Sequence, residues 1–211
     1  MLSKHLNKTQ NAVFGLVLFC TFILLLRVQI TQDIRYIFLL WNLFLALIPY
    51  MISELLINLK ISKLKIIILS SIWLLFLPNA PYIITDFIHF HNLKSALVWY
   101  DLFTFFCFSI SGFLLGVFSM LNMYQIIKKH WSIKLANWYF PIVCLLSGFG
   151  IYLGRFLRFN SWDIITKPIK IISKSFECFN NSECWYMTIG FGFLQWLIFV
   201  NLKMWNSETQ K

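Results

Sequence analysis

The stretch LPNAPYIITDFIHFH, residues 77–91, sets prolines, an asparagine, an aspartate and histidines at the end of an apolar run. Continued as a helix, it places Tyr82, Asp86 and His89 at i, i+4 and i+7, on one face. A carboxylate and an imidazole spaced three apart suit Zn²⁺ or another divalent metal, or general acid–base work. Asp86 and His89 are therefore the candidate catalytic pair and the candidate metal ligands. Two ligands do not complete a metal site, and the plain alternative is an interfacial acid beside solvated histidines.

Two further stretches carry chemistry. WYDLF offers Tyr100 and Asp101, although an acid in a first helical turn and aromatics at an interface are also ordinary. GRFLRFNSWD, 154–163, offers Arg155 and Arg158 at i, i+3, followed by Asn160, Ser161 and Asp163. Arginine forks bind phosphate or carboxylate bidentately, or else snorkel to a membrane interface. With Asn79, these residues form the expected ligand-binding set: Asn79, Tyr82, Tyr100, Asp101, Arg155, Arg158, Asn160 and Asp163. With Asp86 added, three acids and two arginines also admit a purely structural ion-pair network.

The elements that must position them are set by composition. The chain of 211 residues is 59% hydrophobic, 19% aromatic and only 12% charged, about half the charge of a soluble domain. A membrane helix needs about 20 apolar residues, and six candidates emerge, roughly 10–27, 36–59, 66–85, 99–123, 135–154 and 185–202. The reading is an all-α, polytopic transmembrane bundle forming one domain over 1–211. The first span follows Lys4 and Lys8 and has no small-residue cleavage site, so it is read as an uncleaved span rather than a signal peptide.

The net charge of +10 is scattered through short connectors. Anionic lipid, not nucleic acid, is the partner such a pattern predicts. With the N-terminus in the cytoplasm, ten of the 18 Lys and Arg residues fall on the inner side, so both termini are expected to be cytoplasmic in a multi-pass protein of the cell membrane. The site stretches then lie on the outer side. Glu54, on the inner side, is expected to pair structurally with Lys60 or the basic loop near it. Residues 164–184 mix apolar and basic positions and read as an interfacial segment or lid. Cys178 and Cys184 lie in that connector and would form a disulfide in an oxidising space; Asn180-Asn181-Ser182 matches a glycosylation pattern.

The third span must be broken. Ile66 to Leu77 supplies twelve residues, about 18 Å of helix, against a hydrocarbon core of about 30 Å. The span must continue through Pro78 and Pro81 to about Thr85. Pro78 and Pro81 deprive the carbonyls of Leu74 and Leu77 of their helical donors, Asn79 is the expected N-cap of a new short helix, and broken helices at membrane depth need protein or a cavity around them. Gly112/Gly116 and Gly150/Gly154 form GxxxG pairs that predict close helix packing within the chain, while also admitting a homo-oligomer.

LPNAPYIITDFIHF with WYD, and SGFGIYLGRFLRFNSWD, resemble the bacterial membrane proteins grouped as domain-of-unknown-function family 1361. The likeness runs from the second span to the last. The family pattern often has Trp where this chain has Phe159, which keeps an aromatic. The resemblance implies a bacterial multispan membrane protein and supplies no activity.

From the residues, the leading expectation is a polar site at the extracytoplasmic interface, metal-dependent or acid–base, acting on a lipid or envelope precursor through its anionic headgroup. The alternatives are a small transporter or binding subunit, and a structural or assembly protein without catalysis.

Overall fold

The computed structural model describes residues 2–59, 61–92 and 97–208. Six helices are long and apolar enough to cross a membrane: Thr9–Thr31, Phe38–Asn58, Lys63–His89, Val98–His130, Ile133–Arg155 and Ser182–Asn206. The bundle is therefore that of a multispan membrane protein. Among the described residues there is no strand. The spans lie in α1 (Leu2–Thr31), α2 (Phe38–Asn58), α3 (Lys63–Phe76), α5 (Val98–His130), α6 (Ile133–Arg155) and α9 (Ser182–Glu208). α5 is the most buried span and α9 the most peripheral. α5 runs past the expected end near residue 123 because nothing breaks it before Ser132 N-caps α6 through a bond from the Leu135 N–H, 3.1 Å. The lipid-facing rim is plain from side chains such as Phe14, Phe22, Trp41, Ile67 and Ile142, each more than half exposed.

Two large apolar clusters fill the bundle. One surrounds Trp73, Tyr124, Phe140 and Phe199; the other surrounds Leu39, Leu43, Ala80, Ile83, Phe105 and Phe108. Trp73 is fully buried, and its indole N–H donates to Ser119 Oγ at 3.2 Å.

The third span breaks where the prolines require. α3 ends at Phe76, α4 (Asn79–Tyr82) is a single turn, and a 3-10 helix (Ile83–Asn92) completes the crossing. The carbonyl of Leu77 is not left open: the Ala80 N–H takes it at 3.1 Å, and the Tyr82 N–H reaches the Pro78 carbonyl at 3.1 Å. The tighter turns replace bonds that proline removes. Asn79 does not N-cap this segment. Its side-chain amide donates to the Phe76 carbonyl at 2.9 Å and to Ser161 Oγ at 3.0 Å, so it ties the break to the connector after α6.

The glycine pairs explain how a broken segment is held at depth. A Cβ on Gly112 would sit 2.9 Å from the Ala80 carbonyl oxygen, one on Gly116 2.8 Å from the Ala80 methyl, and one on Gly150 2.9 Å from Pro78 Cβ. The glycines of α5 and α6 therefore close on the break from two sides, against Ala80 and the Pro78 ring. That connector, 156–181, contains α7 (Asp163–Thr166), α8 (Pro168–Glu177) and a short 3-10 turn (Cys178–Asn180). No side chain of α8 is buried; Ile169 and Phe176 are exposed, as an interfacial helix requires.

Candidate functional site

Arg155, the last residue of α6, is the hub of the site. Its Nη2 pairs with Asp86 Oδ1, its Nε donates to Thr85 Oγ1 at 2.8 Å, and its Nη1 lies 3.5 Å from His89 Nε2. The guanidinium also stacks over the Tyr82 ring, 4.5 Å from the centroid. Tyr82, Asp86 and His89 thus converge on one cation, through a 3-10 rather than an α-helical continuation. Asp86 is 2% exposed, and its other oxygen accepts from Asn42 Nδ2 at 2.6 Å. The His89 ring rests edge-on against Phe38, 5.5 Å between centroids. The local reason is chain order: α6 must stop at the face where the broken span emerges, and its terminal arginine meets the acid there.

Beside this hub lies a groove of about 830 Å³ between α2, α3–α4, α6 and the α7–α8 connector. Its polar end is lined by Asn79, Tyr82, His89, Arg155, Arg158 and Asn160. Its apolar depth is lined by Leu45, Leu74, Leu75, Leu146, Phe149 and Leu153. Ile171 and Ser175 of α8 border it, so α8 does cover one side. Polar and apolar ends in one open groove match the two ends of an amphiphile.

Arg158 differs from Arg155. It is exposed, and among the described residues no carboxylate pairs with it. Its φ is 57°, in the left-handed region that glycine prefers. An arginine there costs about 1–3 kcal/mol of backbone strain, and the turn carries it while the Phe159 N–H returns to the Leu153 carbonyl at 3.0 Å.

Three expected members stand elsewhere. Asp101 is fully buried and pairs with Arg27 through Nε at 3.0 Å; Arg27 is 1% exposed, donates to the Asp33 carbonyl at 2.6 Å and stacks over Tyr36 at 4.3 Å. Tyr100 donates its hydroxyl to the Ile23 carbonyl at 2.7 Å. Both residues fasten α1 to α5 instead of lining the groove. Asp163 turns back on its own loop: it accepts from the Asn160 N–H at 2.8 Å and the Thr166 hydroxyl at 3.1 Å, and pairs with Lys167 at 3.2 Å. The backbone N–H of Asn160, then Lys167 and Thr166, hold its carboxyl below the usual carboxylate range. The reason is that each acid found a nearer partner than the shared cavity.

The donor set does not fit a divalent ion. Asp86 is committed to a guanidinium, and among the described residues no group of three or more His, Cys, Asp or Glu side chains converges.

Glu54 accepts from Gln10 at 2.6 Å and Asn122 at 2.7 Å; Lys60, its expected partner, lies outside the described residues. Cys178 and Cys184 are both free thiols.

Sequence reading missed Asn42, Thr85 and Arg27. Asn42 and Arg27 carried a signal, as polar residues within apolar runs; Thr85 carried none. Comparison with curated proteins and with solved structures returns no match. A family model described as a protein of unknown function, DUF1361, matches residues 41–198, from the groove's Trp41 through both site motifs. With that match spanning most of the chain, the protein belongs to the DUF1361 family.

Proposed function

We propose that this membrane protein binds an amphiphile with an anionic headgroup, a membrane lipid or a lipid-linked envelope precursor, in the groove beside Arg155. One observation carries the reading: an exposed arginine, with no carboxylate pairing it among the described residues, caps a groove whose depth is apolar. Arg158 takes the headgroup's negative charge, with Asn79, Asn160 and Tyr82 as neutral hydrogen-bonding neighbours. The Asp86–Arg155 pair is internally neutral and shapes the wall. The groove's volume suits one ligand of lipid-fragment size. The charge distribution supports placing this face outside the cytoplasm, with both termini inside.

An acid–base reaction on the bound amphiphile is the enzymatic extension of this reading. His89 is the group placed to move a proton, since its imidazole lines the polar end. Asp86, held by Arg155 and Asn42, acts as a positioning residue. The lack of charged side chains in the groove's depth favours ligand binding from the membrane over passage of an ion.

The test is thermal stabilisation of the detergent-purified protein by phosphatidylglycerol against phosphatidylcholine. The anionic lipid is expected to stabilise more, and Arg158→Ala to abolish the difference. Equal stabilisation by both lipids in the wild type would remove the reading.

A further inference from the structure

The connector that carries α8 holds two cysteines that the groove does not use. Cys178 opens the 3-10 turn after α8, and Cys184 lies in the first turn of α9. Both side chains are buried, at 4% and 5% exposure, in one small cluster with Tyr152 of α6. Cys178 Sγ donates to the Lys174 carbonyl at 3.1 Å. Asn181, in the turn between them, donates to the Tyr152 hydroxyl at 3.0 Å, so the turn is anchored with both sulfurs on its inner side. The other cysteines, Cys20, Cys107 and Cys144, lie within spans and on other elements.

We propose that Cys178 and Cys184 are a modification site, joined as a disulfide by thiol–disulfide exchange with an oxidised protein dithiol on this face of the membrane. In the exchange one thiolate attacks the donor's S–S bond and forms a mixed disulfide. The second cysteine then attacks it. One S–S bond forms here, the donor's S–S bond breaks, and two electrons and two protons pass to the donor as its two thiols. Both side chains are buried, so a protein donor cannot reach either sulfur once the cluster has closed. Exchange therefore belongs to folding, before α8 settles. The product locks the end of α8, which borders the groove through Ile171 and Ser175, to the start of α9.

The proposal rests on the membrane orientation given above and not on lipid binding. Cells are quenched with acid before lysis, and denatured protein is labelled with a polyethylene-glycol maleimide. Of the five cysteines, three are expected to label without reductant and all five after reduction. Cys178→Ala should label four either way, and the Cys178→Ala/Cys184→Ala double variant three either way. Five labels in the unreduced wild type, or fewer than three in the unreduced double variant, would overturn the disulfide. Orientation is read separately with Ile169→Cys, at an 82% exposed position, on a background lacking the native cysteines. Labelling of intact cells by a membrane-impermeant maleimide supports the premise, and protection overturns it.

Discussion

Gly150 packs directly against the ring of Pro78: a Cβ on that glycine would fall 2.9 Å from Pro78 Cβ. The residue that breaks the third span and the residue that lets α6 approach it are thus one contact. Gly150→Ala should push α6 away from the break at a cost of about 1–3 kcal/mol, the usual range for overpacking. Gly15→Ala and Gly190→Ala are the controls, since a Cβ at either meets nothing within 4 Å. Thermal unfolding in detergent checks the contrast; three equal midpoints would contradict it.

The Asp86–Arg155 pair should show a directional asymmetry. Arg155→Ala strands a carboxylate that is 2% exposed, whereas Asp86→Ala strands a guanidinium at 15%. Losing one partner of a buried pair costs about 3–5 kcal/mol, and Arg155→Ala is expected at the upper end. Double-variant cycles on unfolding midpoints measure the coupling between the two.

Arg158→Gly should separate stability from binding. Glycine accepts the left-handed backbone at this position without the strain that arginine bears. The variant is expected to gain about 1 kcal/mol in stability while losing its preference for anionic lipid. A variant that loses both would instead mark Arg158 as a structural residue.

Asp101→Ala should do the reverse. It leaves buried Arg27 with only the more distant Asp33 carboxylate, 3.9 Å away, at a loss of about 3 kcal/mol, yet the fraction that folds should keep its lipid preference, because the Arg27–Asp101 pair does not line the groove. Lipid-dependent stabilisation of that fraction is the measurement.

The turn at Asp163 has a predictable pH response. Its folded pKa lies below the ordinary carboxylate value, chiefly through the Asn160 N–H. Its contribution is therefore present above the unfolded pKa of about 3.9 and is lost as pH falls through the lower folded value. Between pH 5 and 8 the α7 turn should not change. Carboxyl chemical shifts of Asp163 followed through an acid titration test this, and a midpoint at or above the model-peptide value would refute it.

Much of the site's wall was legible. Prolines at residues 78 and 81 forced a break at membrane depth, and glycines four apart forecast the close packing that holds it. Tyr82, Asp86 and His89 shared a face by spacing alone, and Arg155 was singled out beside them. The pairing of acids with cations was not legible. Asp101 and Asp86 both emerge on the same face, yet one meets Arg27, 74 residues away, and the other Arg155, 69 residues away. Nothing in local spacing distinguishes those partners.

The amino-acid order by itself determined the spans, the break and the residue types delivered to one membrane face, because apolar length and the missing proline N–H act locally along the chain. Only the tertiary structure decided which charges cancel, which arginine has no acid partner among the described residues, and where a groove remains, because those outcomes depend on distances between helices. In a low-dielectric bundle each buried charge takes the partner that packing brings within hydrogen-bonding reach.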